Sequence, residues 1–402
     1  MTIGTGGSDA ATELARLQDM TAGSAPIDDS EFAARLARAQ ALMQARGLDA
    51  VYLNAGTNLY YFTGTRWSPS ERLVGALVPA SGDPVYIAPA FELGTLQAFL
   101  RVPGEVHCWE EHESPYRLCA QLLADCGARD IGIDESTPFF IADGLRQAAP
   151  DCSFSSATAV TAGCRMHKSA AELALMQRTK DMTLQVHKAV ARILRPGIST
   201  TEVSAFIDAA HRKVGAPAGS YFCIVLFGPD SAFPHGVAQP KTLDEGDMVL
   251  IDTGCQLHGY ISDITRSYVF GEPTAQQREI WNLEKAAQQA AFDAAQIGAP
   301  CGSVDDAARA VLEAAGLGPD YALPGLPHRT GHGIGLDIHE WPYLVRGNDT
   351  PLAPGMCFSN EPMICLPGAF GVRHEDHFYM TEKGPRWFTQ PAHSVDDPFG
   401  GV

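Results

Sequence analysis

The stretch Val249–Phe270, VLIDTGCQLHGYISDITRSYVF, sets two aspartates inside runs that otherwise read as β-strand. Asp252 ends the apolar run Val249–Ile251, and Asp263 sits in the next run, ahead of Ile264, Thr265 and Arg266. A carboxylate within a β-run is costly unless it is paired or bound to a metal. Taken alone, the two aspartates also fit strand ends that cap turns.

Two downstream segments carry the same signal. His328–Glu340, HRTGHGIGLDIHE, holds His328, His332 and His339, with Gly331, Gly333 and Gly335 around the middle one. Glycine permits close backbone approach, and neutral imidazole is the commonest metal ligand. The pattern predicts metal or substrate contact. Further on, Glu361 closes the apolar run Met356–Phe358, and Glu375 opens one that continues through Phe378 to Met380. Read in isolation, Glu375 with Arg373 is equally a surface ion pair. Together the segments supply Asp252, Asp263, His332, Glu361 and Glu375. This oxygen-rich, nitrogen-poor set suits two hard or borderline divalent ions, Mn²⁺ first, with Zn²⁺ or Co²⁺ as substitutes. Without such charge, four clustered carboxylates would repel one another and take up protons.

The same region contains a weak internal similarity. Leu243–Asp252 (LDEGDMVLID) and Leu352–Glu361 (LAPGMCFSNE) each open a strand with a glycine and place a carboxylate six residues later. Turn-then-strand is common, so chance accounts for it as readily as descent from two related halves.

Working outward, the pattern is mixed α/β (α+β) in two domains. Asp29 or Ser30 caps a helix with apolar Phe32, Leu36, Ala39 and Met43, stopped by Gly47. Strand-like runs follow at 50–53, 73–79, 85–89 and 131–134, with a helix over 115–126. The segment 54–64, NAGTNLYYFTG, reads as a loop leading into a short aromatic strand. A long helix over 169–194 ends at Arg195-Pro196-Gly197, and another begins at Thr200 or Thr201. From Tyr221 the chain is β-rich, with helices near 274–296 and 304–315. The expected division is a partly flexible tail over 1–29, an α/β domain over 30–160 and a catalytic domain over 161–395.

Composition narrows the function. The 402 residues are 45% apolar, enough for two cores, and 29 basic against 47 acidic residues leave a net charge of −18. That surplus disfavours nucleic acid and anionic membrane surfaces. No segment reaches the ~20 continuous apolar residues of a membrane span, and the start lacks the pattern of a secretory signal. Ten cysteines without a CxxC pair read as reduced thiols, which points to the cytoplasm.

These segments resemble the creatinase/methionine aminopeptidase, or pita-bread, superfamily, and within it the proline-peptidase branch of prolidase and aminopeptidase P. The resemblance is loose over the N-terminal part, where 58–64 and 165–172 carry it, and specific over the C-terminal part. There the spacing of Asp252 and Asp263, the block His332-Gly333-x-Gly335 with His339 and Glu340, Glu361-Pro362, and Arg373-x-Glu375 all match. It implies a creatinase-like N-terminal domain, a pita-bread catalytic domain, and hydrolysis of Xaa-Pro bonds, with a small peptide carrying proline second as the substrate. It implies that Asp252, Asp263 and Glu375 serve one metal, and Asp263, His332, Glu361 and Glu375 the other. Glu361 resembles the general base. His235, in Phe233-Pro234-His235-Gly236, resembles the histidine that handles the scissile nitrogen. His339 resembles the one that positions the carbonyl, His328 lines the pocket, and Arg373 resembles a reader of the substrate's C-terminal side. A homodimer is implied as well. Met363 and Cys365 depart from the branch, where glycine and tyrosine are usual, and bear on substrate preference. Aminopeptidase P activity is the nearest alternative; a lyase or C–N hydrolase on this fold, and a non-catalytic peptide-binding module, are the others.

Overall fold

In the computed structural model, which describes residues 2–400, the chain divides into two units. One is Pro26–Arg165; the other joins Met1–Ala25 to Met166–Val402. The first residues thus go with the later unit, whereas the sequence set 1–29 apart as a tail. The cause is a set of long-range polar contacts that composition does not reveal. A helix Ala10–Arg16, capped by Asp9, buries Glu13, which accepts from Arg16 and Arg192, both at 2.7 Å. The amides of Gly6 and Ser8 donate to the carbonyls of Ala191 and Arg192, which close the end of a long helix whose last carbonyls lack partners of their own.

Pro26–Arg165 is built on a six-stranded sheet. Its strands are β1 (Ala50–Asn54), β2 (Gly75–Pro79), β3 (Val85–Pro89), β4 (Glu105–Trp109), β5 (Asp130–Ile133) and β6 (Ser153–Ser156), in the order β4-β3-β2-β1-β5-β6. Pairing is antiparallel within β1-β2-β3 and parallel elsewhere. The helix Asp29–Arg46 starts one residue earlier than expected, capped by Asp28, and ends at left-handed Gly47. Edge strands β4 and β6 were not legible in the sequence: β6 is polar and mostly exposed, and β4 is a five-residue run that is mostly only partly buried. The aromatic segment Thr57–Thr63 is a helix, not a strand. Its buried residues Asn58, Leu59, Phe62 and Thr63 fall at helical spacing, and Gly64 stops it with φ 71°.

Among its described residues, the other unit holds eleven strands. Strands β7 (Ser220–Phe227), β8 (Met248–Leu257), β9 (Tyr260–Ile261) and β10 (Ile264–Val269) form one sheet. Strands β11 (Gly331–Gly333), β12 (Glu340–Leu344), β13 (Cys357–Asn360), β16 (Asp376–Thr381) and β17 (Gly384–Trp387) form a second, and β14 (Met363–Leu366) with β15 (Phe370–Arg373) a hairpin. Helices Ala170–Ile193, Thr200–Lys213 and Ala275–Ala294 each begin with a reciprocal capping box, at Ser169/Glu172, Ser199/Glu202 and Thr274/Gln277.

The internal similarity extends to hydrogen bonds. Gly197 N donates to Leu243 O, and Gly298 N to Leu352 O, both at 2.8 Å. Thr200 N to Lys241 O and Cys301 N to Thr350 O, both 2.9 Å, match in the same way, as do Leu243 N to Ile198 O and Leu352 N to Ala299 O. Each half therefore pins a helix start to the turn that opens β8 or β13, and each strand leads to a carboxylate, Asp252 or Glu361.

All ten cysteines are free. Among the described residues, no helix is long and apolar enough to cross a membrane.

Candidate metal centre and active site

Strand ends bring the five expected residues together. Asp252 lies within β8, opposite Thr265 of β10. Asp263 precedes β10, Glu361 follows β13, and Glu375 stands in the two-residue break between β15 and β16. The sequence placed Asp263 and Glu375 inside strands. They stand instead just outside, where the backbone leaves the ladder. Asp263, His332 and Glu375 each offer a ligand atom within 4.8 Å of the others. Glu361 Oε1 is 3.2 Å from His332 Nε2.

His332 is held by its glycines. A Cβ at Gly331 would come within 2.1 Å of the Ser359 carbonyl oxygen, and one at Gly333 within 2.5 Å of that of Glu340. Only glycine lets β11 fit between β12 and β13 at this point. The His332 amide donates to Ser359 Oγ at 2.9 Å, and Nδ1 meets Gly333 O at 3.0 Å. With Nδ1 donating, Nε2 faces Glu361 at 3.2 Å and Asp263 at 3.7 Å. A lone pair aimed at two carboxylates is compatible only with a proton or a cation between them.

The carboxylates tell the same story. Buried Asp252 Oδ1, Asp263 Oδ1 and Glu375 Oε1 have no hydrogen-bond partner among the described residues. Burial, then the charges of Glu375, Asp252 and Glu361, pushes Asp263 well above the usual carboxylate range. Burial, then Glu361 and Asp252, does the same to Glu375. Asp252 is raised by burial, with Arg373 opposing. Burial also acts against ionised Glu361, but the hydrogen bond and charge of His332, with His328 and Arg373, outweigh it and hold Glu361 below its ordinary range. Carboxylates pushed up by burial and by one another are groups that need protons or cations to be held so close together. Divalent cations fit that donor set.

Neighbouring residues hold these side chains in place. Thr265 Oγ1 donates to Glu375 Oε2 at 2.8 Å, and Arg266 Nη1 donates to the carbonyls of Thr265 and Glu375, each at 3.0 Å. Arg266 is tied to Asp376 at 2.7 Å. Glu340 is structural: it accepts from Lys168 and from the amides of Leu336 and Asp337.

Beside the ligands opens a cavity of about 320 Å³, lined by His332, Glu361, His235, His328 and His339, and by Arg373 and Arg329. His235 is exposed on the turn that follows Phe233. The His339 ring lies 4.1 Å from that of His332, tilted by 56°; burial, then the charges of His332 and Arg329, pushes it down to about 4. His328 is lowered too, chiefly by burial.

Arg373 was expected to read the substrate. Each of its guanidinium nitrogens already makes one bond: Nη2 with Asp252 at 2.5 Å, Nε with Thr265 Oγ1 at 3.1 Å, and Nη1 with Pro234 O at 3.3 Å. Arg329 was not among the residues singled out from the sequence. The only available signal was its place three residues before His332 in a glycine-rich loop.

Comparison with known proteins agrees with this geometry. The sequence model of metallopeptidase family M24 matches residues 174–382, and that of the creatinase/prolidase N-terminal domain matches residues 35–167. The chain is 36% identical to a probable dipeptidase PepE of Mycobacterium bovis over 90% of its own length and 95% of the relative's. It is 32% identical to an Xaa-Pro dipeptidase of Lactobacillus delbrueckii subsp. lactis, covering 89% of this chain and 97% of that protein. The crystal structure of dipeptidase PepE from Mycobacterium ulcerans superimposes with a TM-score of 0.85 at 36% identity, over 92% of this chain and 99% of the other.

Proposed function

This chain belongs to metallopeptidase family M24, and from that premise we propose that it is an Xaa-Pro dipeptidase working with two divalent ions, Mn²⁺ foremost. The observation that carries the reading is the buried set Asp252, Asp263, His332, Glu361 and Glu375, with its orphaned oxygens and inward-facing His332 Nε2. Asp263 and Glu375 are assigned as the shared ligands on the family resemblance, and their closeness to each other and to His332 is consistent with that assignment. The Xaa-Pro dipeptidase of Lactobacillus, as a relative, supports the substrate class.

When bound, two such ions supply Lewis acidity to the scissile carbonyl and to the attacking water. The chain's own residues do the rest. Glu361, ionised and beside the cavity, takes the proton of the attacking water. His339, neutral at pH 7 on its lowered pKa, donates a hydrogen bond to the carbonyl. His235, exposed at the mouth, delivers a proton to the departing proline nitrogen. Proline has no N–H, so recognition of the scissile bond cannot depend on an amide hydrogen there; none of these residues needs one. Arg373 braces Asp252, and His328 walls the cavity.

The ten free cysteines support the cytoplasm as the compartment. A homodimer is carried over from the family resemblance. The test is metal-reconstituted enzyme against Ala-Pro, Ala-Pro-Ala and Ala-Ala. Ala-Pro should be cleaved fastest and Ala-Ala hardly at all; equal rates on Ala-Ala would sink the proline assignment.

A further inference from the structure

The cavity has two cations of unlike standing. Arg373 is 2% exposed and spends its guanidinium on Asp252, Thr265 and Pro234. Arg329 is half-buried on the same wall, and its guanidinium makes no hydrogen bond or ion pair among the described residues. It lies instead over the Tyr343 ring, 4.0 Å from the centroid. A contact with the ring takes up no N–H donor, so the planar fork remains available to match a carboxylate with two parallel bonds.

The platform is firm. Tyr343 is braced edge-on by Trp341, its neighbour two residues away on β12, at 5.6 Å. The backbone around Arg329 is held from both sides: Arg309 donates to His328 O, and Asp305 Oδ1 accepts from the amide and hydroxyl of Thr330 at 3.0 and 2.7 Å. The net charge of −18 makes an unspent arginine in an acidic site a specific feature rather than part of a basic surface.

We propose that Arg329, seated over the Tyr343 ring, receives the free C-terminal carboxylate of the substrate and so sets the preference for dipeptides. This rests on the dipeptidase reading above and adds the group that measures chain length.

The test compares Ala-Pro with Ala-Pro amide on wild type, Arg329→Met, Arg329→Lys and Tyr343→Leu, with kcat and KM resolved and metal content measured. Wild type should favour Ala-Pro. In Arg329→Met that preference should shrink about 10–100-fold, mainly through KM, the usual worth of a charged hydrogen-bonded pair, with metal content retained. Arg329→Lys should keep part of the preference, and Tyr343→Leu should lose part of it. Equal losses on both substrates, or no wild-type preference, would overturn the proposal. If Arg329→Met does not fold, Arg329→Lys decides alone: an undiminished preference overturns the need for the planar fork. A wild-type enzyme that cleaves neither substrate overturns the dipeptidase reading itself, and this proposal with it.

Discussion

Arg373 Nη2 donates to Asp252 Oδ2 at 2.5 Å, a buried ion pair between residues 121 positions apart. Its charge favours ionised Asp252 against burial, so under the proposed ligand assignment Arg373 would act on the metal centre through Asp252.

Arg373→Ala should therefore reduce kcat/KM on Ala-Pro, Ala-Pro-Ala and Ala-Pro amide alike, by about 10–100-fold, the usual effect of removing a group that orients a metal ligand. Steady-state kinetics on the three substrates checks this. A loss confined to Ala-Pro would return Arg373 to the role of carboxylate reader.

Chelation should abolish hydrolysis, and re-addition of Mn²⁺ should restore it with close to two ions per chain at saturation, measured by elemental analysis. Full turnover in thoroughly demetallated protein would end the metallopeptidase mechanism.

Asp263→Asn keeps the shape of a residue assigned to both ions and removes its charge. Metal content and turnover should fall together, on titration with Mn²⁺ and assay of the same samples. Intact stoichiometry with normal turnover would show that Asp263 is not a shared ligand.

His235→Ala should behave in the opposite way. Its side chain lies on an exposed turn at the cavity mouth, so metal content should persist while kcat drops roughly 10²–10⁴-fold, the worth of a positioned acid–base group. Loss of metal in this variant would show that its role had been misassigned.

His211 provides a test away from the site. It is fully buried between Thr183 Oγ1 at 3.1 Å and Ser220 Oγ at 2.9 Å, and burial lowers it from 6.5 to about 4. Between those values the unfolded chain binds the extra proton, so this contribution is complete above pH 6.5 and is lost as pH falls toward 4. In chelated protein, His211→Gln should make the loss of unfolding free energy between pH 7 and pH 5 smaller by about 2 kcal/mol. Urea titrations at both pH values check it.

The chemistry of the centre was readable because it is local. Asp252 interrupts an apolar run, and the glycines around His332 mark a strand too crowded for side chains, as the approach of the Ser359 and Glu340 carbonyls bears out. Periodicity carried the long helices and central strands for the same reason, since burial of one face imprints the sequence. The repeat was visible only as a glycine and a carboxylate six residues apart; the matching bonds at Gly197 and Gly298 gave it substance. What the residues cannot announce is who meets whom across long separations. The 179-residue reach from Arg192 to Glu13, which gives the first residues to the second unit, leaves no local trace. Neither does the pairing that occupies Arg373 and leaves Arg329 open on Tyr343. An arginine's charge is written in the chain, but its partner is chosen by packing, because burial without a counter-charge is too costly to persist.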